Sequence, residues 1–196
     1  MLRFWRRIRR NLHPRLPGRM VTLRPLGPED LGRLSDWFQQ TDLVSQAFGV
    51  RAEAAALQEM GREFLQGLFS GYKETLAIEN QEGRLIGFVT YLLSGGQTQV
   101  AKIGILIGEE TSRGRGYGTD ALGALLEWLF NSVKVARCEL DTASFNLRAR
   151  RCFEKCGFLE SGTITNLQLG ANQVEEKVWM YLTREDYQAI ARGLLE

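Results

Sequence analysis

The stretch Arg113-Gly114-Arg115-Gly116-Tyr117-Gly118-Thr119-Asp120 combines two guanidinium groups with three glycines in five residues. Glycines let a backbone turn tightly and approach another molecule closely. A helical pattern leaves the stretch, with Ala121, Leu122, Leu125, Leu126, Leu129 and Phe130 on one face. The free N–H groups at the start of that helix point back at the loop. Amides and arginines together make a cradle for phosphate. The spacing is not the G-x-G-x-x-G of a dinucleotide fold, and no Gly-Lys-Ser/Thr follows as in a nucleotide-triphosphate loop. Alternating glycines alone leave a plain strand-to-helix turn open as the other reading.

A second stretch, Asn146-Leu147-Arg148-Ala149-Arg150-Arg151-Cys152-Phe153-Glu154-Lys155-Cys156-Gly157-Phe158, narrows the choice. The first stretch resembles the R-x-x-G-x-G acyl-CoA pyrophosphate loop of the GNAT superfamily of N-acetyltransferases, through Arg113, Gly116 and Gly118. The second resembles that family's N-x-x-A-x-x-x-Y-E-K-x-G-F segment. The two lie in the family's order and at its usual separation, and the likeness runs from Val21 to Thr183. Leu23 to Phe38, with Arg24, Asp30 and Trp37, looks like the opening of the subgroup that includes the ribosomal-protein N-terminal acetyltransferases.

The resemblance implies an α+β fold, with a mixed, mostly antiparallel central sheet flanked by helices on both faces. It implies acetyl-CoA as co-substrate, no metal, and direct acetyl transfer to a primary amine of a small molecule or protein N-terminus. It also implies that the pantetheine arm pairs like an extra strand with the central strand, where a backbone N–H faces the thioester carbonyl. The cofactor-binding residues expected on this basis are Ile105, Leu106, Ile107, Arg113, Gly114, Arg115, Gly116, Tyr117, Gly118, Thr119, Asn146, Ala149 and Phe153.

Acid–base chemistry is where the chain departs from the family pattern. Many members carry a glutamate on the central strand as base; here Gln97 to Gly108 holds no carboxylate, and Lys102 is its only ionisable residue. Many carry a tyrosine as acid at the position of Phe153, which has no proton to give. The remaining candidate bases are Glu139, Asp141, Glu175 and Glu176, acting directly or through water, and no catalytic residue is assigned. Two functions stay open: an acetyl-CoA-dependent N-acetyltransferase, and an acyl-CoA-binding module that has lost the chemistry.

The elements that must position these residues follow from periodicity. Val21–Leu26 reads as a strand. Pro28-Glu29-Asp30 opens a helix with Leu31, Leu34, Trp37 and Phe38 on one stripe. Residues 41–49 read as a loop, and residues 52–69 as a helix with Leu57, Met60, Phe64, Leu65 and Leu68 inward. Residues 75–79 and 85–93 form a hairpin, residues 100–108 the central strand, and residues 138–142 a further strand. Asn146 caps a helix that buries Ala149, Cys152, Phe153 and Cys156 and ends at Gly157. Residues 158–164 and 174–182 close the sheet.

At 196 residues one domain is expected, spanning residues 20–196 behind a basic extension of residues 1–19. That extension holds seven arginines and no acid, which leaves an acidic body behind an overall charge of +2. Leu2, Trp5, Ile8 and Leu12 recur at helical spacing until Pro14. An interfacial helix on anionic lipid, a nucleic-acid contact, a targeting segment and a flexible extension are the readings available, the last being the simplest. Three cysteines, Cys138, Cys152 and Cys156, fit no disulfide framework and indicate a cytoplasmic setting; Cys152 and Cys156 read as small core residues. The single histidine, His13, excludes a Ser-His triad in the body. The acidic body favours a cationic acceptor such as a polyamine, an aminoglycoside or a protein N-terminus. A homodimer is left open.

Overall fold

The computed structural model describes residues 15–48, 53–68, 73–95, 99–167 and 174–193. Most of the arginine-rich extension, and with it the readings of its helical spacing, lies outside the described residues. Eight strands make one sheet: β1 (Leu16–Pro17), β2 (Val21–Pro25), β3 (Glu74–Asn80), β4 (Leu85–Ser94), β5 (Val100–Ile107), β6 (Arg137–Ala143), β7 (Leu159–Leu167) and β8 (Val174–Thr183). Their order is β1-β2-β3-β4-β5-β6-β8-β7. Every adjacent pair is antiparallel except β5 and β6. A parallel pair needs a crossover, and α4 (Tyr117–Trp128) supplies it.

Alternation along the strands builds a core on each face of the sheet. On one face, Ala101 and Ile103 of β5 and Val178, Met180 and Leu182 of β8 pack under the stripe of α4, where Ala121, Leu122, Leu125 and Leu126 are buried. On the other, Phe88 and Leu106 meet α1 (Leu31–Phe38), α2 (Thr41–Phe48) and α3 (Ala54–Leu68) through Leu34, Trp37, Phe38, Val44 and Leu57. This is the expected α+β arrangement with helices on both faces.

Three local expectations need correction. The segment read as a loop from Thr41 is helix α2; an eight-residue helix is marginal alone, and burial of Leu43 and Val44 supports it. A helix after the last strand was not anticipated. In α6 (Arg184–Ala191), Thr183 caps the first turn by accepting from Asp186 N at 3.1 Å, and Tyr187 stacks on Phe130 at 4.7 Å. Finally, Leu16 and Pro17, placed in the basic extension, pair with Leu23 and Thr22 of β2.

The grouping of Arg24 with Asp30 has a structural cause. Arg24 Nη1 and Nη2 each donate to an Asp30 carboxylate oxygen at 2.8 Å, and Nε donates to Glu79 at 2.6 Å. Asp30 is 4% exposed. Burial alone would raise its pKa; the bonds from Arg24 and Gly27 N–H outweigh burial and hold it below the usual carboxylate range. The pair fixes the turn into α1. Trp37, further along α1, lies flat against Gly108, where a Cβ would come within 2.0 Å of the indole ring.

Candidate active site

Strands β5 and β6 pair at only three positions, Val100↔Arg137, Ala101↔Cys138 and Lys102↔Glu139. On its other side β5 stays paired with β4 as far as Ile107↔Gly87. From Ile103 onward one edge of β5 therefore has no strand beside it, and a cavity of about 520 Å³ fills the wedge. Its walls are Ile103–Ile107 of β5, Leu140–Thr142 of β6, the glycine loop, α5 (Leu147–Lys155), and Leu43, Gln46 and Ala47 of α2. Gly104 lies in the middle of the free edge and leaves the backbone clear on that face; a Cβ there would sit 2.9 Å from Thr90 Oγ1.

The glycine loop closes one end of the cavity. Gly114 and Gly116 have φ of +75° and +89°, where other residues are strained. Gly116 is the N-cap of α4, and no side chain caps that end. The helical ladder begins with Asp120 N–H donating to Gly116 O at 3.0 Å. The amides of Tyr117, Gly118 and Thr119 thus have no acceptor within the helix, which makes the end an anion site. The two arginines are placed differently, and Arg113 lines the cavity. Arg113 Nε donates to Ile107 O at 3.0 Å and Nη2 to Gly108 O at 2.7 Å, so it ties the loop to the end of β5. Arg115 is exposed and, like Tyr117, does not line the cavity. Positive charge on the opposite wall comes from Arg148, Arg151 and Lys155 of α5. Sequence reasoning passed over these three, although the basic run from Arg148 was their signal.

One further tie holds the loop in place. Asp120, in the first turn of α4, accepts from the backbone N–H groups of Arg19 (3.0 Å), Met20 (2.7 Å) and Val21 (3.0 Å). The turn between β1 and β2 is thereby fastened to the helix that carries the cradle.

Helix α5 forms the far wall. Asn146 Oδ1 accepts from Ala149 N at 3.2 Å, the expected cap, and its Nδ2 donates to Gln46 O at 3.3 Å, joining α5 to α2 across the cavity. Gly157 ends the helix at φ +90°. Ala149 and Phe153 line the cavity as expected. Phe153 is also core: it is 4% exposed and meets Phe158 edge-on at 6.1 Å. Phe153→Ala should therefore cost about 3–5 kcal/mol of stability and weaken CoA binding together; thermal melting and calorimetry measure the two. A variant that melts and binds as the parent does would show that Phe153 is neither wall nor core.

Among the described residues, Asp141 is the one candidate base that lines the cavity. It stands on β6 just beyond the last residue paired with β5. Lys102 Nζ lies 2.8 Å from one of its oxygens and Lys177 Nζ 3.2 Å from the other. Burial would raise its pKa; the hydrogen bond from Lys102 and the charges of both lysines outweigh burial and hold it below the usual carboxylate range. Glu139 pairs with Arg137 instead. Glu176 is exposed, and the side chain of Glu175 lies outside the described residues. Among the described residues no group of His, Cys, Asp or Glu is placed to hold a metal ion, and no helix is long and apolar enough to cross a membrane.

A splayed parallel pair, a glycine loop at a helix N-terminus and a cavity between them make one candidate site, and comparison with known proteins gives its class. Residues 20–159 match the acetyltransferase (GNAT) domain model, and the chain belongs to that family of N-acetyltransferase enzymes. It is 30% identical over 182 residues to the aminoglycoside N(6')-acetyltransferase type 1 of Serratia marcescens, covering 88% of this chain and 87% of that protein. Among solved structures it resembles the aminoglycoside acetyltransferase AAC(6')-Ib in complex with coenzyme A (28% identity, TM-score 0.66, 87% of this chain and 99% of that one). It has the fold of the spermidine N-acetyltransferase of Vibrio cholerae, solved with CoA and spermine (21% identity, TM-score 0.69, 86% and 98%). These relatives are named for aminoglycosides and spermidine, which corrects the expected likeness to the ribosomal-protein subgroup. Arg24, Asp30 and Trp37, which carried that likeness, are accounted for by the ion pair and the packing described above.

Proposed function

We propose that this enzyme acetylates a primary amine of a small polycationic acceptor, of the aminoglycoside or polyamine class, using acetyl-CoA. The carrying observation is that the cavity's free strand edge, its uncapped helix amides and its carboxylate, Asp141, stand around one wedge. The residues present fit a CoA-type group. The amides of Tyr117 to Thr119 would take its diphosphate, and the open edge of Gly104–Ile107 would pair with its amide-bearing arm. Bound there, it supplies an activated acetyl thioester at the mouth between β5 and β6. A backbone N–H on that edge polarises the carbonyl as charge develops on oxygen, and the wedge orients the amine toward the carbonyl carbon.

Asp141 receives the proton that the amine must shed. It is ionised across neutral pH, and because the two lysines also make it a weak base it passes the proton on to water rather than keeping it. Lys102 and Lys177 give its surroundings a local positive excess, which disfavours the ammonium form of an amine brought beside it. Phe153 offers the leaving thiolate no proton; water supplies it. The names of the relatives favour aminoglycosides and polyamines over protein N-termini.

Release of free thiol from acetyl-CoA, followed with an aminoglycoside, with spermidine and with a peptide amine, tests the reading. Turnover with either of the first two and not with the peptide is expected. Turnover with the peptide alone would overturn the acceptor class. CoA binding without thiol release from any amine would leave a binding module in place of the enzyme.

A further inference from the structure

Cys152 and Cys156 stand one turn apart on α5, and the transfer chemistry uses neither. Cys152 lines the cavity. Its sulfur lies 3.4 Å from Thr119 Oγ1, in the first turn of α4, beside the amides that favour negative charge. A Cβ on Gly118 would lie at the same 3.4 Å from it, so the sulfur sits against the loop itself. Cys156 approaches from behind, with Thr119 O at 3.8 Å and the Cys152 sulfur also within reach of its thiol.

We propose that Cys152 is a modification site, at which a small-molecule disulfide forms a mixed disulfide and so closes the diphosphate end of the cavity. The adduct depends only on the thiol cluster; the closure rests also on the cofactor reading given above. In the reaction the Cys152 thiolate attacks one sulfur of the reagent. A new S–S bond forms and the reagent's own S–S bond breaks. The departing half leaves as a thiolate and takes a proton from water, so Cys152 is oxidised and that half is reduced. Thr119, Gly118 and Cys156 occupy the other sides of the sulfur, and the attached group therefore projects into the cavity.

The three cysteines are not equivalent. The contact with Cys156 chiefly, helped by Thr119 and the charge of Lys155, outweighs burial and holds the Cys152 thiol below the usual thiol range. The same contact, with burial, pushes Cys156 up and keeps it protonated. Cys138 is fully buried, and burial pushes its thiol up to about 12. Of the three, Cys152 alone is shifted toward the thiolate, the reactive form.

The test treats the full folded chain with glutathione disulfide, with and without CoA, and follows intact mass, mapped peptides and CoA affinity by calorimetry. One adduct on Cys152 is expected, formed more than about tenfold faster than at Cys138 or Cys156. Its rate should rise with pH around a midpoint below that of an ordinary thiol and slow when CoA is present. Treated protein should lose CoA affinity and regain it with dithiothreitol. Cys152→Ser should take no such adduct, and treatment should leave its own CoA affinity where it was. No adduct on Cys152, or an adduct there that leaves CoA affinity intact, would overturn the proposal. Untreated protein that binds no CoA would instead overturn the cofactor reading and the closure with it, while the adduct and its pH midpoint still report on the thiol.

Discussion

Gly116→Val should fold and yet lose CoA binding. Gly116 holds φ +89° at the N-cap of α4 and is exposed, so a side chain there meets no core. The nearest atom to an added Cβ is Met20 Sδ at 3.9 Å. The cost to folding is therefore the backbone strain of a β-branched residue at positive φ, about 1–3 kcal/mol. The cost to binding is larger in kind. Relief of the strain at positive φ would swing the amides of Tyr117 to Thr119, which follow it directly, out of their present directions. Gly83→Val supplies the control. Gly83 has φ +75° in the β3–β4 turn, an added Cβ there meets nothing within 4 Å, and it is remote from the cavity. It should lose comparable stability and keep its CoA affinity. Calorimetry on both variants, with melting curves beside it, separates strain from loss of the cradle. Undiminished affinity in Gly116→Val would remove the cradle from the account.

The second large effect belongs to Asp141. Asp141→Asn keeps the shape of the side chain but cannot take a proton at neutral pH, and its amide nitrogen cannot accept from one of the two lysines. If Asp141 serves the amine as proposed, kcat/KM should fall by about 10²–10⁴-fold, with CoA affinity unchanged, because the residue lies beyond the loop. The sign of the pH dependence follows from its depressed pKa. The group is already ionised well below neutrality, so it adds no limb to the rate profile between pH 6 and 9, taken here as roughly the working range. The rise of rate with pH should instead follow the acceptor's own ammonium. Steady-state profiles with acceptors of different basicity should move with the acceptor. A limb that stays fixed whatever the amine, or a rate in Asp141→Asn within about threefold of the parent, would assign the proton to another group.

Much of this was legible in the sequence where the signal is local. The stripe of α4, the cap at Asn146, the stop at Gly157 and the alternation of β8 are written in neighbouring residues, and the structure places them as read. The loop's role in shaping the cavity was legible too, because positive φ leaves a glycine signature. Other features needed partners distant in the chain. Helix α2 is short and weakly patterned, and only burial of Leu43 and Val44 against α1 and α3 selects helix over loop. Helix α6 did have a local sign, Thr183 three residues before Asp186, which went unread. Four carboxylates looked equivalent as bases; Asp141 is distinguished by Lys102 on β5 and Lys177 on β8, thirty-odd residues away on either side. The tethering of Arg113 to backbone carbonyls is likewise invisible in a motif, where a guanidinium near glycines reads as a phosphate ligand.

The Asp120 tie has a consequence for where the chain is made to begin. A chain shortened to start at Met20 would keep the Val21 donor, lose that of Arg19, and turn the Met20 amide into a terminal ammonium with a pKa of about 8. That new charge would sit against the Asp120 carboxylate, in the first turn of the helix that follows the glycine loop. The carboxylate would raise that pKa, so the terminus would shed its proton only above the free value, and a retained formyl or acetyl cap would abolish the charge at any pH. The shortened form would thus carry a titrating, processing-dependent contact beside its glycine loop, where the longer chain has only neutral peptide N–H groups.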